Sequence, residues 1–287
     1  MKHILTSLLC AALVLSSCAG GRFVPGSAKS FPKTHQKGKT AIVAHRGYWN
    51  CEAAGYTENA IASLKAAQDN GLWGSEFDIH ITSDDRIIVN HNDNIQGVKI
   101  ADHPYAIFRA MYLKNGERPP LLDEYLTQGE KCTTTVLVIE LKPQKTQDRE
   151  DLLWEKTVEA LKNHYLYDPK RVAFISFSHH ICQRIAAEAP EFINQYLEGD
   201  IAPEVLAEEG INGIDYEQKV FFANPDYVQT AHDHGMTVNA WTVNKDYNMR
   251  SLLYLGIDAL TTNEPLLARK VLGDKEFKVA KNPVIVP

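Results

Sequence analysis

Short apolar runs alternate with amphipathic segments from residue 40 to residue 273, and this alternation constrains the fold more than any other feature. The first run, TAIVA at 40–44, is unbroken and rich in β-branched residues, which is typical of a strand buried on both faces. The segment 58–71 then carries apolar residues at helical spacing and ends at a glycine. Repetition of this unit predicts an α/β protein with a parallel sheet.

Eight such units can be counted, with the later strands in the runs GSEFDIHI, TTVLVIELKP, RVAFISFS, INQYLEGD, INGIDYE, MTVNAWTVN and IDALTTN. Eight parallel strands joined by short connections can close on themselves, and closure leaves no sheet edge. We therefore predict a single-domain (β/α)₈ TIM barrel over residues 40–273, followed by a C-terminal tail at 274–287. A doubly wound open sheet is the alternative architecture.

The N-terminal segment differs in character from the barrel. A basic start precedes an apolar run from Ile4 to Leu15, which is shorter than the about 20 residues that span a membrane, so residues 1–17 are predicted to be a signal peptide. Small residues before Cys18 resemble a bacterial lipobox, which indicates cleavage before Cys18 and lipidation of its thiol. An ordinary signal peptide with an incidental cysteine, or a cytosolic protein with an apolar start, is the alternative.

Residues 19–39 contain five basic residues and no acidic one. Such a segment behind a lipid anchor predicts a tether at 18–39 that lies over an anionic membrane surface, although its lysines could equally serve solubility. The expected protein is a membrane-anchored bacterial lipoprotein that faces the periplasm or the cell surface. The net charge of the whole chain is −6, which argues against nucleic acid as a partner. The sequence does not predict an oligomeric state.

Three carboxylates fall near the C-terminal ends of predicted strands, where TIM barrels carry their active sites. Glu76 and Asp78 are two residues apart on the second strand and point the same way, and Glu140 closes the third strand. Carboxylates this close repel each other unless a proton or a cation neutralises them. One hard divalent cation, Ca²⁺ or Mg²⁺, suits such ligands, whereas the His/Cys spacing of a zinc site is lacking. A rim salt bridge is the alternative role for any one of these acids.

Basic residues flank this predicted metal site. Arg46 and Lys142 could contact an anion, and a phosphate group suits both the guanidinium and the ammonium. His45 and His91 could act as general base and general acid in phosphodiester cleavage, with either histidine in either role. Asp215 ends the sixth strand and could reach the same site, but the pattern assigns it no role.

These motifs resemble those of the glycerophosphodiester phosphodiesterase family. The matching stretches are HRG at 45–47, EN at 58–59, SEFDIHITSDDRIIVNH at 75–91, ELK at 140–142, WTVN at 241–244 and TTNEP at 261–265. The resemblance covers nearly all of residues 40–270. It implies a (β/α)₈ barrel that hydrolyses glycerophosphodiesters to glycerol 3-phosphate and an alcohol with a divalent metal.

The resemblance also implies a role for each matching residue. Carried over by position, these are acid/base catalysis by His45 and His91, phosphate contact by Arg46 and Lys142, and metal binding by Glu76, Asp78 and Glu140. Trp241 is expected to pack near the glycerol-binding wall rather than to take part in the chemistry.

One departure from the family pattern bears on catalysis. The aspartate that follows the second histidine in the family is Asn92 here, and an amide would stabilise a His91 imidazolium less well than a carboxylate. A related barrel phosphodiesterase that acts on lysophospholipid or phosphoinositide head groups is one rival function. A lipoprotein that binds glycerophosphodiesters without turnover is the other, although a mere binder has no use for two histidines.

Overall fold

The computed structural model describes residues 39–273 and 278–279. The predicted signal peptide, the lipidation site at Cys18, the tether up to residue 38 and most of the tail therefore lie outside the described residues. None of the helices within residues 39–273 combines the length and the apolar character that a membrane crossing requires.

Twelve strands are present in the described part, in the order β1 (Lys39–Ala44), β2 (Gly74–Ile81), β3 (Ile87–Val89), β4 (Asn94–Ile95), β5 (Val98–Lys99), β6 (Val136–Leu141), β7 (Val172–Ser176), β8 (Ile193–Tyr196), β9 (Gly213–Glu217), β10 (Thr237–Trp241), β11 (Ala259–Thr262) and β12 (Lys278–Val279). The α-helices are α1 (Ile61–Asp69), α2 (Tyr105–Arg109), α3 (Leu122–Gly129), α4 (Gln147–Asn163), α5 (His179–Glu188), α6 (Pro203–Glu208), α7 (Gln218–Ala223), α8 (Tyr227–Asp233), α9 (Asp246–Leu255) and α10 (Pro265–Gly273).

Eight parallel strands close into a barrel in the order β1, β2, β6, β7, β8, β9, β10 and β11. Closure is direct, because β11 pairs with β1 in the register Val43 with Thr261, and β1 pairs with β2 in the register Val43 with Gly74. The predicted (β/α)₈ barrel is confirmed, and an open doubly wound sheet is excluded. The run RIIVNH does not add a barrel strand, since β3 pairs antiparallel with the end of β2.

The helix predicted at 58–71 is α1, which begins at Ile61 rather than at Glu58. Glu58 and Asn59 precede the helix, and Asn59 has a left-handed backbone with φ of 53°, so these two residues form a loop over the barrel mouth. The short helix α7 was not expected; the Glu217 side chain accepts a hydrogen bond from the Lys219 backbone N–H at its start.

The barrel interior is apolar on one side and polar on the other. Small and branched apolar residues from β1, β6 and β7 fill the first side. Buried polar side chains on the strands from β8 to β11 fill the second side: Gln195, Asp215, Thr237, Asn239 and Thr261. Buried polar groups require hydrogen-bond partners, so this second side forms a network rather than a simple packed core.

Candidate active site

Three buried carboxylates meet at the C-terminal ends of β2 and β6. Glu76, Asp78 and Glu140 expose 2%, 1% and 7% of their surfaces, and one oxygen from each lies within 4.8 Å of the others. The register pairs Asp78 directly with Glu140, which explains the proximity. The structure thus brings together the three residues that the strand pattern selected as metal ligands.

The protein itself neutralises part of this charge. Lys142 Nζ lies 2.7 Å from Glu140 Oε1 and 2.9 Å from Asp78 Oδ1. The other oxygen of Asp78 accepts a hydrogen bond from Asn59 Nδ2 at 2.7 Å. Burial would raise the pKa of Asp78, but the charges of Lys142 and His91 and the Asn59 hydrogen bond outweigh it and hold this pKa well below its usual value. Asp78 is therefore an anion.

Glu76 is the least satisfied member of the group. Its Oε2 accepts a hydrogen bond from the Arg46 backbone N–H at 2.6 Å, but its buried Oε1 has no hydrogen-bond partner among the described residues. Burial and the charges of Asp78 and Glu140 raise the pKa of Glu76 well above its usual value. Burial and Asp78 also raise the pKa of Glu140 to about 8. An orphaned carboxylate oxygen beside two further carboxylates is the donor set that a hard divalent cation takes, so these residues fit such an ion.

A left-handed turn after β1 aims Arg46 at this cluster. Arg46 and Gly47 have φ of 56° and 78°, and the Gly47 N–H donates to the Glu76 carbonyl at 2.8 Å. A Cβ atom on Gly47 would lie 2.3 Å from Ser63 Oγ, so both the backbone and the space require glycine. The Arg46 guanidinium binds Glu58 at 2.6 Å and lies 4.0 Å from Asp78. The HRG motif therefore holds a cation at the rim of the carboxylate group.

His45 has a defined tautomer. Its Nδ1 lies 2.7 Å from Asn263 Oδ1, and the Trp49 indole N–H, which can only donate, lies 3.2 Å from the same oxygen. Oδ1 is therefore an acceptor, Nδ1 carries a proton, and Nε2 of a neutral ring has its lone pair available. Burial and the charge of Arg46 lower the pKa of His45 to about 4, so the ring is neutral near pH 7. Asn244 holds Asn263 in turn by accepting from its backbone N–H at 2.8 Å.

His91 lies beyond the end of β3 and is held less rigidly. Its Nδ1 is 2.9 Å from Asn92 Oδ1, and its carbonyl is 3.2 Å from Nε2 of the buried His80. Burial lowers the pKa of His91 despite the nearby Asp78 charge. His80 thus fixes the backbone of the second histidine, and Asn92 stands where a carboxylate would favour the imidazolium.

A cavity of about 110 Å³ joins these groups. Its walls include His45, Arg46, His91, Glu76, Glu140, Trp241 and Asp215. Trp241 is partly exposed, meets Phe177 edge-on with ring centroids 5.5 Å apart, and donates its indole N–H to the Asp215 carbonyl at 2.9 Å. The ring of Trp241 is therefore available to a ligand only as an apolar surface, in keeping with the predicted substrate wall. The roles of the eight predicted site residues remain predictions. Six of the eight line this cavity, and the other two, Asp78 and Lys142, form ion pairs beside it.

Sequence reasoning assigned no role to several residues of the site. Asn59 binds Asp78, Glu58 binds Arg46, and Asn263 orients His45. All three belong to stretches that carry the family resemblance, and this was the signal that could have found them. Asp215 matches no such stretch; its position at the end of a predicted strand indicated that it could reach the site, and it does line the cavity.

Comparison with known proteins agrees with this geometry. The family model of the glycerophosphoryl diester phosphodiesterase family matches residues 45–267. A glycerophosphodiester phosphodiesterase of Caldanaerobacter subterraneus subsp. tengcongensis is 24% identical over 241 residues, which are 79% of this chain and 95% of the relative.

Two solved structures are also similar. A glycerophosphodiester phosphodiesterase from Parabacteroides distasonis is 36% identical with a TM-score of 0.78, over 81% of this chain and 96% of the other. A phosphodiesterase from Oleispira antarctica, solved in complex with the product sn-glycerol-3-phosphate, is 25% identical with a TM-score of 0.68, over 85% and 98% of the two chains. The chain therefore belongs to the glycerophosphoryl diester phosphodiesterase family and is a phosphodiesterase, as its motifs predict.

Proposed function

We propose that this chain hydrolyses glycerophosphodiesters to glycerol 3-phosphate and an alcohol, with His45 and His91 as the acid/base pair and one Ca²⁺ or Mg²⁺ ion at the carboxylate group. The observation that carries the proposal is a neutral histidine with an available Nε2 that shares one small cavity with an orphaned carboxylate oxygen and the cation of Arg46. The product complex of the Oleispira antarctica phosphodiesterase supports the choice of substrate class.

His45 is the better general base of the two histidines. Its Nδ1 proton is committed to Asn263, so Nε2 can accept a proton from the attacking hydroxyl group. Its pKa of about 4 keeps the ring unprotonated near pH 7. The resulting imidazolium is paired with an amide oxygen rather than a carboxylate, and the proton can pass on to solvent after the step.

His91 then serves as the general acid. The oxygen of the attacking hydroxyl group, which has given its proton to His45, forms a new bond to phosphorus. The bond from phosphorus to the leaving alcohol oxygen breaks, and His91 gives that oxygen a proton. The overall reaction adds one water across one P–O bond, leaving glycerol 3-phosphate and a free alcohol. Arg46 and Lys142 supply positive charge for the phosphoryl oxygens.

Glu76, Asp78 and Glu140 would hold the divalent ion, which when bound polarises oxygen ligands and neutralises charge on the phosphoryl group. The cavity of about 110 Å³ is small for an organic ligand, since pockets for drug-sized molecules are about 300–1,000 Å³. It suits a small head group, and the acyl chain of a lysophospholipid would have to lie outside it. Water-soluble diesters are thereby favoured over lysophospholipids.

The activity is tested with the purified protein, glycerophosphoethanolamine and Ca²⁺ or Mg²⁺, by following glycerol 3-phosphate in a coupled assay. We expect metal-dependent release that chelator abolishes. His45→Ala should lower kcat by about 10²-fold or more, because a positioned general base contributes about 10²–10⁴-fold. His234→Ala is the control, since His234 is exposed and precedes β10 at the opposite end of the barrel. Saturable binding of the diester without any release would instead make the protein a receptor.

The metal site is tested by thermal unfolding of Glu76→Gln. Glutamine can still accept from the Arg46 N–H but puts an amide where the orphaned oxygen stands. We expect Ca²⁺ or Mg²⁺ at about 100-fold above Kd to stabilise the wild type by about 2.7 kcal/mol, a rise in Tm of about 5 °C or more, and to leave Glu76→Gln unchanged. In chelator the variant should be at least as stable as the wild type, because it lacks the buried carboxylate.

The control for this measurement is Glu159→Gln, which alters an exposed carboxylate on α4 and should retain the full metal response. An equal rise in Tm for Glu76→Gln and for the wild type would place the ion elsewhere.

The role of Asn92 is tested by Asn92→Asp. A carboxylate 2.9 Å from His91 Nδ1 favours the imidazolium, so the pKa of His91 should rise by about one unit or more, as NMR titration of the ring would record. A general acid must be protonated to act, and activity falls as pH rises through its pKa. The basic limb of the pH–rate profile should therefore move to higher pH. Gln96→Glu adds the same charge at an exposed loop position and should change neither the pKa of His91 nor the basic limb of the profile. If the basic limb of Asn92→Asp stays where it is in the wild type, His91 is not the general acid.

We further propose that the protein is a lipoprotein anchored through Cys18 and facing the periplasm or the cell surface, on the order of its basic, apolar and small-residue segments. Expressed with its leader in a bacterium, the wild type should fractionate with membranes, and Cys18→Ala should not. Cys51→Ala removes a free cysteine of the barrel domain and should stay with the membranes. Recovery of wild type and Cys18→Ala in the same fraction would refute lipidation of this residue.

A further inference from the structure

The active-site cavity has two unlike sides. One side carries the histidines, the arginine and the carboxylates. The other side is an apolar wall of Ile175, Phe177, Leu197 and Trp241. A phosphate bound by the charged side would leave the carbon chain of its substituent against this wall.

Two polar residues, Asp215 and Thr261, also line the cavity. Asp215 is the middle residue of β9 and exposes 1% of its surface. In the closed barrel, β9 lies opposite β2, with three strands between them on either side, so Asp215 faces the cavity from across the carboxylate group. The mechanism proposed above does not use it.

The two oxygens of Asp215 have different surroundings. Oδ2 accepts a hydrogen bond from Asn239 Nδ2 at 3.0 Å, and the same amide nitrogen also donates to Thr261 Oγ1 at 2.9 Å. Oδ1 is buried and has no hydrogen-bond partner in the residues that the structure covers. Asn239 is itself fixed by the Ala240 backbone N–H, which donates to its Oδ1 at 2.8 Å. The network thus holds Asp215 rigidly with one oxygen unsatisfied.

An unsatisfied buried oxygen is costly unless a ligand completes it. Burial raises the pKa of Asp215 well above its usual value, against only the Asn239 hydrogen bond, which favours the neutral carboxyl group. Because Oδ2 already accepts from Asn239, the proton of the neutral carboxyl group would be on Oδ1, which would then be a donor. A neutral donor recognises a hydroxyl group and does not repel the phosphate of the same ligand.

We propose that Asp215 is a specificity residue that binds a hydroxyl group on the polyol part of the substrate. This inference rests on the proposed function and adds to it the group by which the enzyme selects glycerol over a plain alkyl substituent. The apolar wall takes the carbon chain, and Asp215 takes the hydroxyl group that the chain presents to it. Substrates that lack this hydroxyl group leave the Asp215 hydrogen bond unmade.

The test compares glycerophosphoethanolamine with its propane-1,2-diol analogue, which lacks only the terminal hydroxyl group, in the full-length protein. We expect the wild type to prefer the glycerol compound by about 10-fold or more in kcat/KM, since a site built to hydrogen-bond a hydroxyl discriminates strongly against its absence. Asp215→Leu should lower kcat/KM for the glycerol compound to the level of the analogue. For the analogue itself it should change kcat/KM by less than about 3-fold.

Gln195→Leu is the matched control. Gln195 is buried in the barrel interior, donates to Thr237 Oγ1 at 2.9 Å and does not line this cavity, so its loss should leave the preference intact. Thermal unfolding checks that each variant folds. If Asp215→Leu does not fold, Asp215→Ala takes its place, because it does not put a large apolar side chain against the Asn239 amide. We expect the same loss of preference in kcat/KM from Asp215→Ala.

Two outcomes would overturn the proposal: a wild type without preference between the two substrates, or an Asp215 variant that lowers kcat/KM equally for both. Failure of the proposed function is distinguishable, because the wild type would then release no glycerol 3-phosphate. In that event, calorimetric binding of sn-glycerol 3-phosphate and of propane-1,2-diol phosphate to the wild type and to Asp215→Leu decides the role of Asp215. Equal loss of binding for both ligands would reject it.

Discussion

The site depends on one constraint: three carboxylates are buried within 4.8 Å of one another at the end of two adjacent strands. Charges removed from water are costly unless they are paired and hydrogen-bonded. The protein meets this cost at Asp78, which has Lys142 on one oxygen and Asn59 on the other. It does not meet the cost at Glu76 Oε1, which lacks a partner within the described chain. A divalent cation bound there would offset this cost, and so would a proton on Glu76, whose pKa burial raises.

The loops over the barrel follow from that constraint. Arg46 adopts a left-handed backbone, which costs a non-glycine residue about 1–2 kcal/mol, and thereby turns its N–H toward Glu76 and its guanidinium toward Glu58. Asn59 is also left-handed and bonds to Asp78 through both its amide oxygen and its amide nitrogen. Strain of this kind persists where several hydrogen bonds determine one geometry. The loops are therefore parts of the carboxylate site rather than covers for it.

The barrel and the meeting of the three carboxylates were accessible to sequence reasoning because both arise from local rules. Alternating strand and helix patterns predict a parallel sheet, and side chains two apart on a strand share a face, which is enough to select Glu76 and Asp78. Asn263 was harder to assign, because its role follows from lying 2.7 Å from a ring that is 218 residues away in the chain. The antiparallel pairing of β3 was missed for a similar reason: an apolar run does not reveal the direction of its partner strand.

The roles of the acids in this cavity follow from their neighbours rather than from their residue type. Asp78 is flanked by Lys142 and Asn59, which hold its pKa well below the usual value, whereas Asp215 meets one neutral amide and burial raises its pKa. An anion at the position of Asp215 would repel the phosphate that the opposite side is built to bind, and a neutral acid at the position of Asp78 would weaken any cation site. The polar pair of Asn239 and Thr261 therefore matters to the chemistry, since Asn239 donates one hydrogen bond to Asp215 and neither residue adds a positive charge. Two carboxyl groups across one barrel can thus serve two different parts of a single ligand.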